Sequence, residues 1–384
     1  MRPLRAALMC SLVATTLLVP AGPAQAAFSD VPGGYWAESA IAYTAQDRTW
    51  LRNYGTSTFR PEASLLRRHL ARAVILAFAP NAEAGPTFSD MSSDDDHFRF
   101  ASAAVDKGWM RAKDGLFRPD APVRSRDLDR ALVRALGLSS EITGLTKIQT
   151  KDGARFDHPA AFAEIVLARQ LDLHRNHPSS SEKRELWPGE VVRRADAAFA
   201  LHRAARTSSW QLNSLSQFRN VVLPTMSAAK RKVVTFALKQ AGAPYVYAGE
   251  WHTPTPSGYC CGSQAEGGFD CSGFVWWVLR APDGMWSNTA YRPYKGWKLP
   301  ERSSRDMARQ APTRIGLSNA RPGDILFFDG DDSHRGWRGV DHAGIYLGAG
   351  WMIHSASGID GVSLDRVRDN WYRDHFKWAR RVIS

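Results

Sequence analysis

The chain is 384 residues long and carries 50 Lys and Arg against 38 Asp and Glu, a formal charge of +12. That excess suits an anionic partner, and with no nucleic-acid motif in the sequence an anionic polymer fits better than nucleic acid. Four cysteines, two of them adjacent at Cys260 and Cys261, exclude an evenly spaced disulfide framework, and past the N-terminus no run approaches the ~20 apolar residues of a membrane helix.

Arg2 and Arg5 form a short basic start, Ala6 to Val19 is largely apolar, and Ala24-Gln25-Ala26 is a small-residue cleavage pattern before Ala27. This predicts a secretory signal peptide over residues 1–26, not a spanning helix. Leu8-Met9 ahead of Cys10, with few apolar residues upstream, argues against a lipid anchor. Removing 26 of the 384 residues leaves 358, and loss of Arg2 and Arg5 lowers the charge from +12 to +10. The expectation is a soluble, exported protein of two or three domains. Of the cysteines only Cys260, Cys261 and Cys271 survive maturation, and one is expected to be kept for reactivity.

The front half repeats itself. Phe28-Ser29-Asp30 is followed 31 residues on by Phe59-Arg60-Pro61, and Phe88-Ser89-Asp90 is followed 29 residues on by Phe117-Arg118-Pro119. A weaker third copy runs from Phe156-Asp157 to Trp187-Pro188, again 31 apart. Apolar residues at helical spacing follow each Pro: Leu66, Leu70 and Val74; Leu128, Leu132 and Leu136; Val192, Ala195 and Phe199. Between aromatic and Pro lies another helical stretch, such as Trp36 to Tyr43 or Phe100 to Trp109. Each helix–turn–helix unit is too small to bury its own stripe, so three units (27–79, 86–138 and 154–205) are expected to share one core.

Residues 27–205 thereby resemble S-layer homology repeats. The resemblance implies an all-α pseudo-threefold module binding an anionic secondary wall polysaccharide. It also implies a Thr-Arg-Ala-Glu-like tetrapeptide opening each second helix. Arg193-Arg194-Ala195-Asp196 is nearest to that motif; Leu66-Arg67-Arg68-His69 and Arg124-Ser125-Arg126-Asp127 are more distant. Arg67 and Arg194 match the motif arginine, and Ser125 replaces it in the second copy. A guanidinium at a helix start can clamp a carboxylate through paired hydrogen bonds, so Arg67 and Arg194 are the candidate polymer-binding residues. Residues 206–226, rich in Ser and Thr, read as a linker. Ser227 then reads as the cap of a helix through Lys239 that stops at Gly242.

Cys271 follows Gly267-Gly268-Phe269-Asp270 and opens an apolar run, Ser272 to Arg280, ended by Pro282. The run suits a buried helix with Cys271 in its first turn, where free amides and the helix dipole favour a thiolate. A buried structural cysteine is the plainer reading of that position alone. The partners shift the balance. Gly339 to Gly348 and Trp351 to Ala356 read as two strands about Gly348-Ala349-Gly350. An odd-length loop puts His342 and His354 on one face: directly opposite, with Cβ atoms roughly 4.5–5.5 Å apart, or diagonal at roughly 7–8 Å. An even loop would separate them. Granted one face, His342 takes the proton of Cys271 and His354 orients its imidazole. Arg321-Pro322-Gly323-Asp324 adds a turn feeding a buried strand, Ile325 to Phe328. The order of elements gives an α+β plan with the site between helix and sheet.

These blocks strongly resemble the NlpC-type bacterial cell-wall cysteine peptidases over residues 228–384. The matching pieces are Pro244 to Gly249, Phe269-Asp270-Cys271-Ser272-Gly273, Arg321 to Asp324, Asp341 to Tyr346 and Met352-Ile353-His354. The resemblance implies a papain-like fold, a helix bundle packed on an antiparallel sheet, and cleavage of peptidoglycan stem peptides between γ-D-glutamate and diaminopimelate or lysine. By motif position Cys271 is the nucleophile, His342 the base and His354 the third polar residue. Tyr245 shapes the acyl site, and Asp270 and Ser272 contact the free amino end of the substrate. Two departures stand out. Ala248 replaces a usual Gly, and Tyr245 precedes Cys271 by 26 residues, about twice the usual interval. The surplus, Trp251 to Gly267, reads as a lid or an inert loop; within it Cys260 or Cys261 is a candidate redox partner for Cys271, since adjacent cysteines rarely bridge each other.

Asp329, Asp331 and Asp332 lack the twelve-residue calcium pattern, and His252 with Cys260 and Cys261 lacks a fourth zinc ligand. His334, Arg335 and Trp337 read as a rim loop. No cofactor and no metal is expected. The combined expectation is a signal peptide, a repeat module over 27–205, a linker over 206–226 and a cysteine endopeptidase domain over 227–384. The protein is expected to be a secreted, wall-associated monomer acting on peptidoglycan. An amidase of similar fold, or a wall-binding protein with a vestigial site, are the rival readings.

Overall fold

A computed structural model describes residues 28–51, 57–175, 186–280, 299–330, 336–368 and 371–383. The expected signal peptide and the loop residues Asp331, Asp332, His334 and Arg335 lie outside the described residues. Among the described residues no helix is long and apolar enough to cross a membrane.

The N-terminal part is helical. α1 (Glu38–Ile41) runs into a π-helical turn over Ala42–Asp47. Then come α2 (Arg67–Phe78), α3 (Phe98–Asp106), α4 (Ser125–Ala135), α5 (Ser139–Thr146), α6 (Phe162–Gln170) and α7 (Arg194–Ala205). Helices α2, α4 and α7 are the ones expected after each Pro, and their stripes, including Leu70, Val74, Leu128, Leu132 and Ala195, are buried. The extended arms ahead of them close a ring. Val123 N–H donates to Leu65 O (2.8 Å), Val192 N–H to Val123 O (2.9 Å) and Leu65 N–H to Val192 O (2.9 Å). A second tier repeats the cycle, from Arg67, Ser125 and Arg194 N–H to the carbonyls of Ala121, Glu190 and Ala63. Each arm thus supplies acceptors to the first-turn amides of the next helix, which would otherwise need caps.

The first two copies share a turn. Asp30 accepts the N–H groups of Phe59 (2.8 Å) and Arg60 (2.6 Å), and Asp90 those of Phe117 (2.9 Å) and Arg118 (2.7 Å). These forks hold Arg60 and Arg118 in the left-handed region, at φ 59° and 55°. The third copy departs: Asp157 pairs with Lys239 (3.5 Å), while Trp187 N–H donates to Glu190 (2.8 Å).

Residues 206–226, expected as a linker, are packed structure. α8 (Ser209–Ser214) starts in a capping box between Ser208 and Gln211 and leads into a 3-10 turn over Leu215–Arg219. β2 (Val222–Leu223) then pairs in parallel with β1 (Gln149–Thr150). Phe218 and Leu223 are fully buried. The Ser-rich run that suggested a spacer is a helix start, where hydroxyls satisfy free amides.

In the C-terminal part, α9 (Ala228–Leu238) begins at its Ser227 cap as expected. β3 (Glu250–Trp251) and β4 (Gly268–Phe269) pair antiparallel at the base of the surplus segment, and α10 (Cys271–Leu279) and α11 (Ser304–Arg309) follow. β5 (Ile325–Phe328), β6 (His342–Gly348), β7 (Trp351–Ala356), β8 (Gly361–Arg366) and β9 (Phe376–Arg380) form an antiparallel sheet of order β8-β7-β6-β5-β9, with α12 (Trp371–Asp374) before the last strand. One sheet face, including Ile325, Phe327, Ala343, Ile345 and Ile353, joins the core that contains α10. The other, with Leu326, Phe328, Tyr346 and Met352, makes a smaller core with Tyr372 and Phe376. This is the expected α+β layering of helices on an antiparallel sheet.

The two parts share one core. Arg169 of α6, 1% exposed, donates to Gly242 O (2.7 Å) and Ile359 O (3.2 Å) and pairs with Asp360 (3.3 Å). Gln170 beside it donates to Leu364 O of β8 (2.8 Å). Trp187 Nε1–H donates to Gly267 O (2.9 Å), and its ring lies 4.2 Å from that of His252. Phe218 packs on Trp351 at 5.2 Å.

Candidate active site

Asp270 caps α10 by accepting Gly273 N–H, which makes Cys271 the first helical residue. Cys271 keeps intermediate exposure, enough for a substrate carbonyl to reach it. Its sulfur sits against the backbone on both sides of His342: the thiol donates to Asp341 O (3.7 Å), and Ala343 N–H donates to the sulfur. The helix start is thereby docked on the first residues of β6.

His342 Nε2 lies 2.9 Å from His354 Nδ1, with the rings at 84°. The strand register pairs Ile345 with Ile353 and Tyr346 with Met352. Continued, it sets Gly344 opposite His354 and makes His342 a diagonal neighbour of His354 on one face. The route to that geometry differs from the expected odd loop. Gly348 pairs with Trp351 across a two-residue tip, and a bulge between Tyr346 and Gly348 restores the parity. Gly348, at φ 97°, allows that kink.

His342 pairs with Phe328 and shares its face, with the Phe328 ring at 5.8 Å and the Tyr372 ring at 6.1 Å. The histidines therefore stand on the sheet face opposite the one whose core holds α10. The expected site between helix and sheet becomes a site at the strand end, where the helix start meets β6 edge-on.

Burial, with the Asp270 carboxylate adding to it, pushes the Cys271 thiol up to about 12, against the help of the Ala343 and Ser272 amides. Burial also lowers His342 to about 4, and burial followed by the neighbouring His342 lowers His354 well below its usual value. Burial thus favours a neutral thiol beside neutral imidazoles at rest. This corrects the expectation of a resting thiolate: desolvation at the helix start outweighs the dipole.

Tyr245 is half-buried and bridged to Phe269, two residues before Cys271. Ala248 adopts φ 58°, which explains a glycine preference at that position. Asp270 and Ser272 are engaged by a residue that sequence reasoning missed. Arg302, 7% exposed, donates to Asp270 (3.1 Å), Ser272 Oγ (2.8 Å), Glu250 (2.7 Å) and Gly249 O (3.0 Å). A substrate ammonium brought to Asp270 meets a guanidinium already there. Only the adjoining Ser303 cap marks this stretch in the sequence; nothing there marks an arginine that reaches the nucleophile's neighbours.

The surplus segment is knitted by Gln264, whose side chain accepts from Glu250 N–H (2.8 Å) and Trp251 N–H (3.1 Å) and donates to Trp251 O (3.0 Å). Cys260 and Cys261 are bridged to each other, and Cys271 is free. The bridge between neighbours departs from the expectation that adjacent cysteines rarely bond each other, it leaves neither sulfur linked to Cys271, and nearby Glu250 is bound by Arg302.

Arg67 and Arg194 have packing roles in place of the expected polymer contact. Arg194, 0% exposed, donates to Phe59 O (2.8 Å) and lies 4.4 Å over the Phe59 ring. Arg67 donates to Phe117 O (2.8 Å) and to Arg111 O, 4.8 Å over the Phe117 ring. Each locks the turn of the neighbouring copy.

Residues 242–381 match the NlpC/P60 family. A probable endopeptidase, YafL, of Escherichia coli K12 is 29% identical over 147 residues, 38% of this chain and 47% of its own. A probable endopeptidase of Mycobacterium tuberculosis is 36% identical over 125 residues, 33% of this chain and 23% of its own. The bifunctional muramidase/DL-endopeptidase CwlT of Bacillus subtilis is 29% identical over 150 residues, 39% of this chain and 36% of its own. The chain thus spans less than half the length of each of these relatives. The likeness is confined to the C-terminal part, and residues 28–241 lie outside the family match.

Proposed function

We propose that the chain is a secreted, wall-associated peptidoglycan hydrolase, a cysteine endopeptidase that cuts stem peptides between γ-D-glutamate and diaminopimelate or lysine. One observation carries the reading: the Cys271 sulfur touches the backbone on both sides of His342, while His342 Nε2 faces His354 at 2.9 Å. The family match and the relatives, two probable endopeptidases and a muramidase/DL-endopeptidase, point the same way.

In this reading a substrate carbonyl settles over Cys271, and the thiol turns from Asp341 O to the free nitrogen of His342. Catalytic hydrogen bonds often tighten only in the complex. His342 accepts the proton as sulfur attacks, and the first-turn amides of α10 hold the oxyanion, since Asp270 already occupies Gly273 N–H. The imidazolium then protonates the leaving amine, and neutral His342 activates the water that clears the acyl-enzyme. Tyr245 lines the acyl side.

The helical part would keep the enzyme on the wall. Its cyclic backbone ring and three copies support an S-layer-homology-type module, and the charge of +12 supports an anionic wall polymer as ligand. With Arg67 and Arg194 committed to packing, that contact falls to other basic residues. The test is digestion of defined muropeptides with mass readout. Fragments split after γ-D-glutamate support the proposal; release of whole stem peptides from the glycan makes the protein an amidase; no product from the wild type rejects hydrolysis.

A further inference from the structure

We infer that Asp365 is a positioning residue that fixes the proton of His354 and through it the basic nitrogen of His342. The inference rests on the reading of Cys271 and His342 as nucleophile and base, and extends it to a residue outside the motifs.

His342 Nε2 faces His354 Nδ1 at 2.9 Å, so one of the two carries the shared hydrogen. For His342 to accept from Cys271 through Nδ1, its own hydrogen must be on Nε2, donated to His354 Nδ1. His354 must then hold its hydrogen on Nε2. That nitrogen is fully buried, has no hydrogen-bond partner and lies 3.9 Å from Asp365 Oδ2. A buried N–H without an acceptor is strongly disfavoured, and the carboxylate is the acceptor placed to remove the penalty by a shift of about 1 Å, the usual excess over hydrogen-bond length. An ionised Asp365 selects the productive tautomer and offsets the charge on His342 when it takes the thiol proton.

Asp365 is set for this by both parts of the protein. The register places it opposite Met352, on the face that carries His354. Its other oxygen accepts Arg366 N–H (2.7 Å). The Gln170 side chain from α6 donates to the adjoining Leu364 O (2.8 Å) and favours the charged Asp365 carboxylate. Burial raises the carboxyl to about 6, while the Arg366 amide and Gln170 pull it down. The titratable groups around it are few. His354 faces it from β7 with His342 behind, and Tyr372 of α12 stands 5.1 Å from the His354 ring. The Arg169 guanidinium of α6 is turned to Asp360, and that of Arg366 lies over Trp351. With its pKa raised to about 6, the carboxylate is present above that pH and lost below it.

The test compares wild type with Asp365→Asn and Gln170→Ala in the full chain, each checked by its melting curve. An Asn amide donates to His354 Nε2 and imposes the wrong tautomer. The expected result is a fall in kcat of about 10–100-fold, the usual effect of an outer-shell partner, with KM within about 2-fold and loss of the acidic limb near pH 6. Gln170→Ala removes a group that favours the charged carboxylate, so the limb moves to higher pH, an effect that a purely structural role would not produce. The second readout is carboxamidomethylation of Cys271 by iodoacetamide, located by mass spectrometry, which needs no wall substrate. It should slow in Asp365→Asn. If the wild type reacts normally with iodoacetamide but cuts no muropeptide, the peptidase reading fails and this inference is judged on the alkylation rates. Asp365→Asn with unchanged kcat, acidic limb and alkylation rate overturns it.

Discussion

Two sets of basic side chains, the ring arginines and the paired histidines, look alike on paper and behave oppositely in the fold. Arg67 and Arg194 stand at helix starts where an anion would be welcome, yet their guanidinium groups are directed at Phe117 O, Arg111 O and Phe59 O and lie flat on phenylalanine rings. His342 and His354 hold each other by one bond and keep a ring nitrogen in reserve, and His354 Nε2 has no hydrogen-bond partner. The contrast separates holding from reacting. A polar group that holds a fold together spends its bonds on neighbouring backbone, whereas one proposed to move protons keeps a ring nitrogen open at a stability penalty.

The sharpest test of that contrast removes the reacting side. Cys271→Ala should lower release of cleaved muropeptides by on the order of 10⁴-fold or more, with an unchanged melting curve. His342→Ala should do nearly the same, because nucleophile and base act as one unit. Full activity in either variant would move the chemistry elsewhere. The next largest effect belongs to the seam between the two parts. Arg169→Ala removes one buried partner of Asp360, 4% exposed, and leaves His174 Nδ1 at 3.8 Å, and should destabilise the fold by about 3 kcal/mol. Because one core spans both parts, chemical denaturation should stay a single transition in the wild type. Two separated transitions there would contradict the shared core.

The placement of Cys271 and both histidines, the residues of the proposed chemistry, was legible because few positions combine a cysteine opening a buried helix with two histidines on a hairpin. The plan of paired helices in the front half was legible from recurring Phe-Ser-Asp and Phe-Arg-Pro. What escaped is what depends on contacts between distant segments. Arg302 reaches Asp270 and Ser272 across 30 residues of chain or more, and no period or spacing encodes that. Residues 206–226 misled because serine serves flexible linkers and helix caps equally, and only tertiary packing of Phe218 decides between them. The hairpin parity hid in the same way: a bulge at one residue reverses which face a histidine takes. The thiolate expectation failed because the dipole can be read from position while desolvation cannot.

The smallest effects return to the ring, where the contrast is most exposed to refutation. Arg194→Ala leaves the buried Phe59 O short of a donor and opens space over a buried ring, for a loss of about 1–3 kcal/mol. Arg67→Ala, at a partly exposed site, should give about 1 kcal/mol. Neither substitution should change sedimentation of the Cys271→Ala protein with purified walls once folding is verified, since both guanidinium groups are bonded to backbone carbonyls within the fold. Loss of wall binding at full stability in either variant would mean that these arginines turn outward to meet a ligand. The assignment of both guanidinium groups to backbone and ring contacts within the fold would then fail.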